Sequence, residues 1–319
     1  MIGILSQQPD ASYPGEPHRH GPASVRFFTR DVEISIGFGD DECAMEPLQR
    51  APVKRPYDLP EFGKPPLNEV VLGVQFDPPS GYQQIMAGDV WRLFSADFPE
   101  VQELPPLPPI FETFGPQAPL FSFGPITGPM HNRFWFTSKT GSEIIQFQND
   151  RLLHNWRKVG DRSNKYPRFD TIVAKFLNEM RSLEAFFDRI SPQPMRIRQC
   201  ELSYVNHIKG DFTEQMQVSD WLNFLLFSTL EPDDFAVSFR QTMRSQNGDR
   251  KGRLTCEAST AVEPNGRHFI SLTLTARGVP EQPSIDSALD FLTRGRDLIV
   301  RTFAKVTTDL AHKTWERAA

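Results

Sequence analysis

Cysteine is scarce in this 319-residue chain: Cys43, Cys200 and Cys256 are the whole set, odd in number and far apart. No Cys-x-x-Cys occurs among them. They therefore exclude a disulfide framework and a zinc knuckle, and point to a reducing cytoplasm. Long apolar runs are missing as well. The longest, around 70–76 and 221–227, fall far short of the ~20 residues that span a bilayer, and mean hydropathy is −0.42. The opening Met1-Ile2-Gly3-Ile4-Leu5 has neither a basic stretch nor a sustained apolar one, so it does not read as a secretory signal. Basic residues are not in excess: 35 Lys and Arg stand against 40 Asp and Glu, a formal charge of −5. That balance, with no basic stripe, speaks against a nucleic-acid partner.

Chemistry-bearing motifs are equally sparse. There is no HExxH, and the one close histidine pair, His18 and His20, lies in a turn-rich stretch that reads as solvated, so no metal is expected. Neither a GxGxxG nor a Walker-type loop occurs, and no cofactor is expected. Lys139-Thr140-Gly141 matches one element of the serine acyl-transferases, but its SxxK and SDN companions are missing and it suits a hairpin turn.

Proline is abundant and unevenly placed. Ten of the 28 prolines fall in residues 1–66, where they bar long helices and central strands. That segment reads as an irregular, partly disordered arm with one or two edge strands at 24–39. From residue 67 the pattern changes to α+β. The stretch 69–76 is β-branched and reads as a strand, 81–98 as a helix with Ile85, Val90, Leu93 and Phe94 on one face. A connector at 99–129 holds nine prolines and is too long for an ordinary link, which makes it functional or a wrap over the surface. Strands at 133–138, 143–149 and 152–158 follow, then a helix at 166–190 whose stripe runs Phe169, Ile172, Val173, Phe176, Leu177, Met180, Leu183, Phe187.

The order then recurs. A strand at 195–208 precedes a short helix at 219–228 with Ser219 as N-cap, and strands at 235–244, 253–260 and 268–277 are joined at Asn247-Gly248 and Asn265-Gly266. A long helix at 285–316, interrupted at Gly295, closes the chain, with Leu289, Leu292, Ile299, Phe303, Val306 and Leu310 on one face. The expectation is two pseudo-repeats of strand–helix–three strands–helix, at 67–192 and 193–319. Together they would form an antiparallel sheet with the long helices packed on one face.

Several of these stretches carry a resemblance. Asn68-Glu69-Val70, Gln146-Phe147-Gln148, His154-Asn155-Trp156-Arg157, Tyr166-Pro167-Arg168-Phe169, Glu201-Leu202-Ser203-Tyr204-Val205-Asn206 and the closing Phe303, Thr307, Thr308, His312 and Trp315 resemble an uncharacterised, sporadically distributed bacterial protein family. The resemblance covers about 67–315 and brings no established activity. Its patchy distribution implies a mobile defence or toxin-neutralising context. The long connector and Trp315-Glu316, where the family pattern would place a glycine after the tryptophan, depart from it.

Strand alternation divides each strand into two faces. Val70, Leu72, Val74, Phe76, Leu202, Tyr204, Asn206 and Ile208 belong with the helices. Glu69, Gln75, Gln146, Gln148, Glu201, Ser203, His207, Arg240 and Glu257 belong to an open polar face, the candidate binding surface. Trp156, Arg157, Tyr166, Arg277 and Trp315 read as structural, with Arg157 and Arg277 as partners for Glu69 and Glu201. These features favour a non-enzymatic cytosolic binding protein that holds a protein partner on this face and the connector. The alternatives are a small-molecule or peptide binder with a pocket between sheet and helices, and an enzyme built on a His207–Glu201 pair.

Overall fold

The computed structural model describes residues 56, 58–112, 114, 131–159, 164–209, 218–226, 232–245 and 247–318. The expected strands at 24–39, the His18/His20 pair and the second half of the connector lie outside these residues.

Turn chemistry and alternation set the sheet. Gly141, Gly248 and Gly266 take φ of +69°, +86° and +80°, the left-handed conformation that tight hairpin turns need and that glycine adopts without strain. They connect β3 (Arg133–Thr137) to β4 (Glu143–Gln148), β7 (Ala236–Arg244) to β8 (Arg250–Val262), and β8 to β9 (His268–Gly278). With β1 (Leu67–Phe76), β2 (Glu100–Leu104), β5 (Arg151–Arg157) and β6 (Ile197–Ile208) they form one sheet in the order β2-β3-β4-β5-β1-β6-β9-β8-β7. Every neighbouring pair is antiparallel. The β1–β6 pair sits in the middle, with Leu72 opposite Leu202. β2 was not expected: its five residues fall inside the Pro-rich connector, between Pro99 and Pro105, and pair with β3 at the sheet edge.

Among the described residues, four helices accompany the sheet: α1 (Ala87–Phe94), α2 (Phe169–Phe187), α3 (Ile285–Val306) and α4 (Asp309–Thr314). Val70, Leu72, Val74 and Phe76 of β1 share one core with Ile172, Phe176, Met180 and Leu183 of α2 and with Leu292 and Ile299 of α3. Each such side chain contributes about 1.5–3 kcal/mol relative to exposure. No described helix is long and apolar enough to cross a membrane.

Four expectations need correction. The helix at 81–98 begins only at Ala87, after a 3₁₀ turn at Gln84–Met86, and Ile85 is 84% exposed. The helix at 219–228 is a single 3₁₀ turn, Val218–Asp220, so Ser219 lies within it and caps nothing. The closing helix stops at Val306. The Thr307 hydroxyl donates to the Phe303 carbonyl, Thr308 accepts from Ala311 N to start α4, and Leu310 turns out to solvent. Gly295 does not interrupt α3, which runs unbroken from Ile285 to Val306; a Cβ there would stand 3.1 Å from the Ala276 Cβ, so its absence lets helix and sheet approach. The last residues of the arm pack on the core: Phe62 is buried against Phe303 (5.3 Å between ring centroids) and Trp315 (6.3 Å).

Candidate binding face

Register places the polar set on the side of the sheet away from the helices. Gln146 lies opposite Leu153, Leu153 opposite Gly73, Gly73 opposite Glu201, and Glu201 opposite Arg277. Gln148, Arg151, Gln75 and Gln199 form the neighbouring row. The face was expected to be open. At this end it is covered by the chain itself.

Residues 105–112 cross the strands here, and the reason lies in their composition. Pro105, Pro106, Pro108 and Pro109 have no amide hydrogen and favour an extended backbone, so this segment cannot join a ladder of its own. The amides of Leu107, Ile110 and Glu112 turn instead to glutamine side chains of the sheet. Leu107 N donates to Gln148 Oε1 (2.9 Å), and Gln148 Nε2 donates back to the Leu107 carbonyl (3.0 Å). Ile110 N donates to Gln75 Oε1 (3.0 Å), and Gln75 Nε2 returns a bond to the Ile110 carbonyl (2.7 Å). Gln199 Nε2 donates to the same carbonyl (3.0 Å), and Arg151 Nη2 to that of Leu107 (3.2 Å). Carboxamides from β4, β1 and β6 thus read the backbone of an extended strap without reading its side chains.

The far end of the strap sits beside two arginines. Glu112 Oε1 is 3.7 Å from Arg253 Nε, and Oε2 is 3.8 Å from Arg277 Nη1. Burial pushes the Glu112 carboxyl above its usual range, opposed by the pull of Arg277, Arg253 and Arg240. A carboxyl raised by folding binds its proton more tightly in the docked state. Its contribution is therefore full below the ordinary carboxylate range and declines as pH rises through the raised value. Phe114 lies under the Arg253 guanidinium (5.5 Å), while Phe111 is 57% exposed, presenting its ring to solvent.

Beyond the strap, polar side chains bond one another across strands. Arg133 Nη1 donates to Gln146 Oε1 (3.1 Å), Gln146 Nε2 to Asn155 Oδ1 (2.9 Å), and Asn155 Nδ2 to Glu69 Oε1 (2.6 Å). Burial raises the Glu69 carboxyl, against the Asn155 bond and the charge of Arg157. Arg157 Nε itself donates to the Gly141 carbonyl (2.8 Å), so Glu69 leans on Asn155 rather than on a direct ion pair. Arg277 does bond Glu201 directly. Ser203 meets Thr275 at 2.8 Å between hydroxyls. Arg240 and Glu257 stand exposed toward the β7 edge.

The His207–Glu201 pair is not assembled. The two lie six residues apart on β6, about 20 Å at strand spacing, and His207 instead packs against the Phe269 ring (4.4 Å). Glu69 and Glu201 are roughly 14 Å apart by register, too far to share a proton or a substrate bond. The close His–Glu pair is elsewhere, buried beneath α2: His154 Nδ1 is 2.8 Å from Glu179 Oε1 and 3.0 Å from Oε2. No cluster of three metal-binding side chains occurs among the described residues. Burial raises both described thiols, Cys256 to about 11 and Cys200 further, so both stay protonated and inert.

Trp156 and Tyr166 pack together (5.1 Å between centroids), as do Trp315 and Phe303 (5.2 Å). Sequence reasoning missed Gln199, Arg151 and Glu112 as members of the face. Period-two alternation from Glu201 places Gln199 on it, but nothing local signals that a segment 87 residues away supplies its partner.

Gln75→Ala is expected to cost about 1–2 kcal/mol, the loss of two partly buried hydrogen bonds, and to speed proteolytic cleavage within 105–112. Urea unfolding and timed digestion measure both, and unchanged cleavage would show the strap held by other means.

Comparison of the chain with protein-family models, with curated proteins and with solved structures gives no match.

Proposed function

We propose that this is a non-enzymatic binding protein of the cytosol whose polar sheet face and proline-rich strap together hold an extended segment of a protein partner. The observation that carries the reading is the glutamine row. Gln75, Gln148 and Gln199 engage backbone groups at Leu107, Ile110 and Glu112, a mode that accepts any extended, proline-spaced chain. The exposed Phe111 beside it supplies the aromatic anchor that interfaces favour.

Two readings support the proposal. Outward from the β1–β6 pair the strand order runs β5, β4, β3 on one side and β9, β8, β7 on the other. Glu69 opposite Arg157 corresponds to Glu201 opposite Arg277. We read this as a duplicated unit, which leaves one wide, continuous polar face. The resemblance to a sporadically distributed bacterial family is consistent with a partner encoded nearby.

The test uses the full chain with 105–112 replaced by Gly/Ser and a synthetic peptide of the native 103–114 sequence. The expected result is 1:1 binding by the replaced protein, weakened at least tenfold when Gln75 and Gln199 are also changed to alanine. Affinity purification of the native protein should then recover a protein carrying such a segment. A peptide that does not bind, or a native purification that yields a metabolite and no protein, sinks the reading.

A further inference from the structure

On the other side of the sheet, a cavity of about 200 Å³ opens between residues 60–67, the start of α2 and the middle of α3. Its walls are apolar, chiefly Phe62, Phe169, Leu274, Ile299 and Phe303. Its inner end is not, because Arg296 stands there.

Arg296 is only 2% exposed, a guanidinium that cannot lose its charge. It lies over the Phe169 ring at 4.9 Å. Its Nε is 2.6 Å from Asp297 Oδ1, yet neither atom is placed to make a hydrogen bond, and Nη2 has no hydrogen-bond partner among the described residues. A buried cation with donors left over is expensive unless something accepts from it. Arg296 with its spare hydrogen-bonding capacity also lines the cavity, a space large enough for a ligand.

A second feature adds to the positive potential. α2 begins at this cavity with Phe169 and Asp170 in its lining, and its N-cap, Arg168, makes no side-chain capping bond. The first amides of a 19-residue helix are thus without a side-chain cap. Tyr166 and Tyr204 meet at 3.2 Å between hydroxyls beside them. Burial first, then Tyr204, holds the Tyr166 phenol well above its usual range, so it remains a proton donor.

The mouth sets the charge of what can enter. Glu61 pairs with Arg168 at 3.2 Å, and Asp170 stands exposed there. Two acids against one base at the rim oppose a doubly charged phosphate or dicarboxylate. The apolar walls, in turn, leave inorganic anions without contacts. We infer that the cavity binds a small monocarboxylate with an apolar body, its carboxylate on Arg296 and its hydrocarbon portion against Phe62, Ile299 and Phe303. Because the cavity and the strap lie on opposite faces of the sheet, this inference does not rest on the partner-binding reading.

Isothermal titration of the full chain with hexanoate, octanoate and phenylacetate, and with 1-octanol as the uncharged control, tests it. At least one carboxylate should bind 1:1, with octanol at least tenfold weaker than octanoate. Arg296→Met should weaken carboxylate binding at least tenfold while the thermal midpoint stays level or rises, since the variant removes a buried charge with unsatisfied donors. Val300→Phe, which narrows the cavity from a half-buried position, should also abolish binding and serves if the first variant does not fold. Absence of binding by all three carboxylates at millimolar concentration overturns the inference. So does binding by folded Arg296→Met or Val300→Phe that equals the native protein's.

Discussion

Glu179→Leu should destabilise the protein by about 3 kcal/mol, because it strands a buried imidazole. His154 is fully buried on β5, and both Glu179 oxygens are within hydrogen-bonding reach of its Nδ1. Its Nε2 has no hydrogen-bond partner among the described residues. The nearest acid there, Glu143, is 3.9 Å away and held by Lys175 at 2.6 Å. Nothing else among the described residues is placed to replace Glu179. Removing both partners is another matter: a His154→Leu, Glu179→Leu pair leaves no unsatisfied group and should recover most of the loss. Urea unfolding of the two single variants and the double variant gives the coupling directly. Additive losses would mean that the two side chains do not act as a unit.

Phe176→Ala should cost about 3–5 kcal/mol, the range for deleting a fully buried aromatic ring from a core that cannot collapse around the space. Phe176 is 0% exposed on the inner stripe of α2, among Ile172, Met180 and Leu183. Since a domain of this kind is stabilised by only about 5–15 kcal/mol in total, the variant should melt far below the native protein. Ile85→Ala is the informative companion. Ile85 belongs to the same kind of apolar pattern in the sequence but is 84% exposed, so its loss should be within about 0.5 kcal/mol of neutral. Chemical denaturation of both variants decides it, and similar costs would mean that Ile85 packs where the structure leaves it bare.

That contrast shows what the sequence could convey. The α2 stripe is long, uninterrupted and apolar on one side, so its period survives one or two ambiguous positions. Ile85 sits in a short segment where Gly81, Gly88 and the 3₁₀ turn break the period, and three or four residues cannot define a helix face. The strands and their two sides were legible because alternation from Val70 to Phe76 and from Leu202 to Ile208 admits one register with the helices. The hairpins were legible because Asn-Gly and Thr-Gly pairs leave few other conformations.

The strap was half legible. Its prolines announce an extended connector, and the glutamines announce a polar face, but the bonds between them join residues 35 to 89 positions apart. Such bonds depend on tertiary placement and leave no periodic trace. Arg296 was illegible for the same reason. It sits in Thr293-Arg294-Gly295-Arg296-Asp297, which reads as a solvated charged turn of a helix, although its neighbour Arg294 is exposed and Arg296 is not. The closing helix misled because Thr307 and Thr308 do not forbid a helix; they end it here because their hydroxyls find better partners at Phe303 and Ala311.

The position of β1 has a further consequence, for synthesis. During translation β1 emerges early and can pair with β5 once residues 151–157 follow, but its other edge waits for β6, some 130 residues downstream of its start. Until then Leu67–Phe76 presents ten residues' worth of ladder, rich in Val and Leu, to whatever strand arrives first. On a crowded polysome the competitor is β6 of a neighbouring nascent chain. It would dock with the same register and yield an exchanged dimer in which each sheet is completed by the other molecule.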